Sequence, residues 1–306
     1  MPSNNSCAAK PLFALLAVPL LAGGARAEVP LTWDQTGHVT VPTFVNGKGP
    51  FDFILDTGAD EAGVYAWFAE SLGLPKGKIG ELSGATGSQP MVAARIGTLA
   101  VDGHTIRDVE ADTIPDRTDG VKQAGVAGVD LMMGRLTVID FGCNTASLLP
   151  IPSAPGKIAG AGATLVQAGA IRDGKQLTLP VTINGVMGVA VLDSGARITN
   201  INLKFASAAG IDPGSPGFHD EPTRGATMKA VATRIGPIGR VGFAGIVRPG
   251  AVARVGDLPY FEGAGLAGGP VMNLGLDLLR GTRLTVDYAA RRFWLAPSAC
   301  AEPPKP

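Results

Sequence analysis

No run of lysine or arginine occurs in this 306-residue chain, and its acidic and basic side chains balance to a formal charge of zero. Affinity for nucleic acid or an anionic membrane surface rests on a basic excess, so neither is an expected partner. Histidine is scarce: His38, His104 and His219 are the only three. No His-x-x-x-His or Cys-x-x-Cys spacing is present, so no metal site is expected. The absence of a Gly-x-Ser-x-Gly segment leaves a Ser/His hydrolase without support. The pair Asp56-Thr57 is followed by Gly58, where a phosphatase nucleophile loop would carry its second acid. Aromatics make up 6% of the chain, and the dispersed Trp33, Trp67 and Trp294 read as core residues rather than a binding surface.

What the sequence does have is glycine (43) and proline (24), with 45% apolar residues. Such a composition suits a turn-rich β protein, and the length allows two modest domains. The N-terminus reads as a secretory signal over residues 1–27. Lys10 is followed by an apolar stretch from Pro11 to Gly24, and Ala25-Arg26-Ala27 forms an A-x-A cleavage site. The mature chain then starts at Glu28, in the periplasm or outside the cell. The apolar stretch is too short for a stable span, although an uncleaved anchor is the alternative. Cys7 leaves with the signal. Cys143 and Cys300, each just after the terminal strand of its half, are a possible disulfide in an oxidising compartment. Two separate buried thiols are the other reading, and intact mass with and without reductant distinguishes them.

The chain repeats itself. Phe53-Ile54-Leu55-Asp56-Thr57-Gly58-Ala59 is matched by Ala190-Val191-Leu192-Asp193-Ser194-Gly195-Ala196. An Asn-Gly turn precedes each, at 46–47 and 184–185, a strong hairpin signal. Downstream, Gly84-Ala85-Thr86 parallels Gly225-Ala226-Thr227, and Gly128-Val129-Asp130-Leu131 parallels Gly275-Leu276-Asp277-Leu278. Arg135-Leu136-Thr137-Val138 likewise parallels Arg283-Leu284-Thr285-Val286. The spacing predicts two copies of one β domain, 28–150 and 164–300, joined by a Pro/Gly/Ala-rich linker over 151–163 and ending in a tail, 301–306. One helix is predicted after each Asp motif, at 65–74 and 203–209, stopped by Gly73 and Gly210. A second short helix is predicted at each Gly-x-Asp-Leu block.

An aspartate at the end of a strand without polar alternation is buried, and burial of a lone carboxylate is costly unless it is paired, hydrogen-bonded or functional. Two domain copies about a pseudo-two-fold axis would bring Asp56 and Asp193 together. Such a pair shares one proton and can hold a water. One carboxylate serves as general base on that water, and the other as general acid on the carbonyl oxygen of an amide. No cofactor is needed.

The motifs Asp56-Thr57-Gly58-Ala59 and Asp193-Ser194-Gly195-Ala196 resemble the signature of retropepsin-like and pepsin-like aspartic peptidases. The whole mature chain resembles two fused retropepsin-like units, as in bacterial tandem members of that family. The resemblance implies an all-β fold of two pseudo-symmetric lobes with a cleft between them. It implies an endopeptidase of extended peptide or protein substrates, with Asp56 and Asp193 as the dyad. Thr57 and Ser194 would cross-link the units, with Gly58 and Gly195 supporting the dyad. Flap hairpins would lie at 83–89 and 223–229, placing Gly84, Ala85, Thr86, Gly225, Ala226 and Thr227 against substrate beside Asp60. The Tyr of pepsin-type flaps is absent from both. Asp60 has Arg197 as its counterpart, either a pair across the interface or two rim charges. Val126-Ala127-Gly128 fits the family's apolar-apolar-Gly element; Asn273-Leu274-Gly275 fits it less well. The implied assembly is a monomer acting as a pseudo-dimer. A peptide-binding protein of the same fold without hydrolysis, or a homodimer of tandem units, are the competing expectations.

Overall fold

The computed structural model describes Met1 and residues 28–301. Apart from Met1, the expected signal segment lies outside the described residues, as do 302–306. No helix among the described residues is long and apolar enough to cross a membrane.

Strand formation starts at the two Asn-Gly turns. Asn46 and Gly47 have φ of 51° and 74°, Asn184 and Gly185 of 50° and 87°. Two successive positive φ values give the turn whose twist matches paired strands. The first turn joins Val39–Val45 to Lys48–Leu55, the second Gln176–Ile183 to Val186–Leu192. The returning strands end in the buried triplets Phe53-Ile54-Leu55 and Ala190-Val191-Leu192. Each triplet runs parallel to a short strand, Gly125–Ala127 and Val271–Leu274 respectively. A parallel strand covered on both faces has no polar alternation, which explains the uninterrupted apolar runs.

Two eight-stranded sheets result, one from each half. The first runs Thr32–Trp33, Val39–Val45, Lys48–Leu55, Gly125–Ala127, Gly63–Tyr65, His104–Ile114, Gly87–Val101, Lys76–Gly84. The second runs Gly169–Ile171, Gln176–Ile183, Val186–Leu192, Val271–Leu274, Asn200–Ile201, Ile246–Val255, Arg234–Phe243, His219–Asp220, an equivalent order strand by strand. Extra pairings, Phe44 with Ala100 and Val181 with Phe243, curl each sheet back on itself. The fold is all-β, as the resemblance implied.

A six-stranded sheet draws strands from both halves. Leu136–Asp140 lies antiparallel to Thr282–Asp287 at its centre, with Val138 opposite Thr285. All five residues of the first of these strands are buried. Cys143 and Cys300, just beyond strands of this sheet, are joined by a disulfide with Cα atoms 5.0 Å apart and a sequence separation of 157. Closing so long a loop removes unfolded-state entropy worth on the order of 5 kcal/mol. The 151–163 segment packs rather than floats: it contains a single 3-10 turn, Pro155–Lys157, and buries Ala159 against Leu136 and Trp294.

The helices are shorter than the sequence predicts. The first spans Ala66–Ser71, because Tyr65 is still extended as the last residue of a strand. The second spans Leu203–Ala208, capped by the Asn202 side chain, which accepts from Phe205 N–H at 2.9 Å. Gly73 and Gly210, at φ 61° and 70°, turn the chain after them. Phe68 and Phe205 are the buried anchors of the two helices. The short helices at Val129–Met132 and Leu276–Leu279 fall on the Gly-x-Asp-Leu blocks.

Candidate active site

Each Asp motif is a tight loop leaving the buried end of its central strand, and the two loops interlock. Thr57 Oγ1 donates to the Leu192 carbonyl (3.0 Å) while accepting from Ser194 N–H (3.0 Å). Ser194 Oγ donates to the Leu55 carbonyl (2.6 Å) while accepting from Thr57 N–H (3.0 Å). Thr57 and Ser194 are both fully buried, so these four bonds are shielded from water and fix one loop against the other.

The interlock brings Asp56 and Asp193 within side-chain hydrogen-bonding reach. Two glycines make room for this. A Cβ on Gly58 would stand 2.7 Å from Asp193 Cγ, and one on Gly195 would collide with the Asp56 carboxylate. Each glycine also donates its N–H to its own aspartate, at 2.7 Å for Gly58 and 2.9 Å for Gly195. Burial, and then the Asp193 charge, push the Asp56 carboxyl well above the usual range.

The pair is not symmetric. Both acids are bonded by the backbone of the following alanine, Ala59 or Ala196, but among the described residues only Asp193 also accepts from a side chain beyond the pair, the Asn273 amide (2.5 Å). The corresponding position beside Asp56 is Val126, which has no donor to offer. Asp56, raised by burial and by its neighbour's charge, is the member that retains the proton. Asn273 was visible in the sequence only as a poor fit to an apolar element. Its polarity is what separates the two acids.

A cavity of about 530 Å³ lies over the pair. Of the residues expected against substrate, Asp60, Gly84, Ala85, Gly225 and Ala226 line it. Thr86 and Thr227 do not; they are 3% and 4% exposed, and their hydroxyls lie 3.0 Å apart in a mutual hydrogen bond. The two hydroxyls thus meet each other, and each tip shields the other. Gly84 packs against Ala226 and Gly225 against Ala85, with an added Cβ meeting the opposing tip at 3.2 Å in both cases. The first tip ends a long hairpin of Lys76–Gly84 and Gly87–Val101, while the second is a loop on the two-residue strands Thr223–Arg224 and Ala230–Val231.

Asp60 and Arg197 do not pair with each other. Asp60 accepts from Gln176 Nε2 (2.8 Å) and lies 3.8 Å from Arg172, whereas Arg197 donates to the Thr36 carbonyl (3.0 Å). Each is therefore met by the segment entering the opposite half. Gln176 also donates to the Gly58 carbonyl (2.7 Å) and accepts from the Tyr260 hydroxyl (2.6 Å). Tyr260, on the short helix Pro259–Gly263, lines the cavity and its N–H reaches the Ala85 carbonyl (3.4 Å). No tyrosine stands in either tip, so this one lies beyond what the flap pattern could find. Burial, then the neighbouring charges of Glu61, Asp130 and Asp60, push Asp112 up to about 6 in the same cavity wall. Among the described residues no cluster of His, Cys, Asp or Glu side chains is arranged to hold a metal ion.

Residues 41–131, which carry the first Asp loop, the first tip and the strand ending at Ala127, match the family model for aspartyl protease. The match covers just under a third of the chain and shows that segment to be similar to aspartyl proteases. None of the curated proteins matches the chain. As an aspartyl protease-like domain, the matched segment supplies Asp56, Thr57, Gly58 and Asp60; Asp193, Asn273, Gln176 and Tyr260 come from the remainder of the chain.

Proposed function

We propose that this protein is an aspartic endopeptidase that hydrolyses peptide bonds with a water activated between Asp56 and Asp193. The observation that carries the reading is a buried pair of acids in mutual reach, one of them held above the usual carboxylate range by burial, at the floor of a cavity. Asp193, as carboxylate, removes a proton from the water as it attacks the scissile carbonyl carbon. Asp56 gives its proton to the carbonyl oxygen, forming a neutral diol. The proton on Asp193 then passes to the amide nitrogen, the C–N bond breaks, and Asp56 recovers its proton from a diol hydroxyl as the new acid forms. One water is consumed and both carboxyls return to their starting state.

The substrate lies extended beneath the two tips, adding strand-like hydrogen bonds. Because the tips are bonded to each other through Thr86 and Thr227, they part to admit a peptide and close over it. The two halves act as copies of one unit within a monomer. Export by a cleaved signal at 1–27 to the periplasm or the exterior accords with the Cys143–Cys300 bond. Incubation of residues 28–306 with a peptide pool from pH 3 to 7, read by mass spectrometry, is expected to give internal cleavage blocked by a statine-type inhibitor. Peptide binding without product at any pH would favour the non-hydrolytic alternative.

Asn273 supplies a second expectation. The amide holds the Asp193 carboxylate in one orientation toward the water it must deprotonate. Asn273→Val is therefore expected to lower turnover about tenfold with little change in fold stability. Unchanged turnover in a peptide-cleavage assay would separate Asn273 from the chemistry.

A further inference from the structure

The two sides of the cleft use equivalent positions, and at two of them the charge is reversed. Asp60 follows the first motif and Arg197 the second. Asp112 is the strand partner of Gly63, and Arg254 is the strand partner of Asn200, at matching places in the two sheets. All four charged residues line the cavity. Beside Asp112 the wall is apolar, with Leu82, Ile114 and Val126 in one cluster packed by Ala59. Beside Arg254 it is polar, with Asn200 and Asn273 as strand partners and Thr223 donating to Asn200 at 2.9 Å.

Arg254 is the unusual member. It is only 8% exposed, one terminal nitrogen bonds Glu221, and its Nε has no hydrogen-bond partner among the described residues. Arg254 lines the cavity and keeps donor capacity beyond its bond to Glu221, which suits an acceptor placed against it. Arg197 adds a second guanidinium that bonds a backbone carbonyl and meets no carboxylate within ion-pair distance among the described residues. The nearby acids are engaged elsewhere: Asp34 with Gln123 and His38, Asp119 with Arg117. Apart from the dyad, every carboxylate lining the cavity belongs to the first half, at Asp60, Glu61, Glu81 and Asp112.

We propose that the pocket around Arg254 and Arg197 binds an acidic side chain of the substrate, Asp or Glu, and so fixes the direction in which a peptide lies. This rests on reading the cavity as a peptide cleft. The same peptide turned end for end would set its acid against Asp112 in an apolar wall, where a like charge repels it; the cations on that side, Arg172 and Lys175, are already met by Asp60 and Glu61. Charge reversal at equivalent positions thus converts a pseudo-symmetric cleft into a polar one.

The test uses the Asp56→Asn protein, in which hydrolysis is removed but the neutral form of that side chain is imitated. Its affinity for a set of otherwise identical eight-residue peptides, each with one Glu, Gln or Lys moved along the sequence, is read by fluorescence anisotropy. At one position Glu is expected to bind at least tenfold more tightly than Gln, and Lys more weakly than either. Adding Arg254→Gln is expected to abolish the difference, and Arg254→Lys to retain part of it. The Glu-to-Gln comparison requires no change at Arg254, so it stands even where such a variant folds poorly. Equal affinities at every position, a preference that survives Arg254→Gln, or no binding of any peptide would overturn the inference. A clear Glu preference alongside a wild-type protein that leaves every peptide intact would uphold this pocket and remove the hydrolytic reading instead.

Discussion

Replacing Asp56 by asparagine is expected to lower peptide hydrolysis by about 10^3- to 10^4-fold while making the protein more stable at neutral pH. The first effect follows from losing the acid that protonates the carbonyl oxygen. The second follows from linkage. Asp56 is held above its unfolded value by burial and by the Asp193 charge, so the folded chain retains a proton that the unfolded chain gives up. The stability contributed by this group is complete below the unfolded pKa and is lost as pH rises through the folded value. At neutral pH the native site therefore carries an electrostatic cost, and an uncharged amide of the same shape removes it. A rise in melting temperature of about 2–5 °C at pH 7, shrinking toward pH 4, is the expected signature. Parallel melting curves and turnover assays of wild type and Asp56→Asn across that range check it. A variant that is destabilised at pH 7 as much as at pH 4 would mean that the carboxyl is not under the strain described.

Thr57→Val is expected to damage both fold and activity, because it breaks the interlock while conserving side-chain volume. Valine neither donates to the Leu192 carbonyl nor accepts from Ser194 N–H, and both groups are left buried. Each unpartnered group costs about 1–3 kcal/mol, so a loss of roughly 2–5 kcal/mol is expected in chemical denaturation. A shift of about 1 Å between the Asp loops is enough to lower turnover about 100-fold. Ser194→Ala removes the mirror pair, to the Leu55 carbonyl and from Thr57 N–H. Since the four bonds form one unit, the double variant is expected to lose clearly less than the two single losses added together. Strict additivity would show that the two residues stabilise their own loops independently.

These expectations differ in how far the sequence alone could reach them. The two motif aspartates, their glycines and the cross-linking hydroxyls were legible because the same short pattern occurs twice, each time behind an apolar triplet. The hairpins were legible because Asn-Gly carries its own turn geometry. The flap tips were only half legible. The sequence marked Thr86 and Thr227 as tip residues, but whether such hydroxyls meet solvent, substrate or one another depends on the distance between segments remote in the chain. The charges at 60 and 197 posed the same difficulty, since Arg172, Gln176 and Thr36 reach them only after the two sheets have closed.

Asn273, Arg254 and Tyr260 mark the limit most clearly. Each sits in a strand or short helix whose local pattern says nothing of a cavity, and each acquires its role from a partner in space: Asp193, Glu221 or Gln176. Periodicity and turn chemistry are local, so the sequence by itself determined the strands, the repeated motifs and the two acids that end them. Which acid keeps the proton, what closes the roof and how charge is distributed along the cleft were decided only in the tertiary structure. Burial and hydrogen-bond geometry between distant residues set those properties, and no spacing along a chain encodes them.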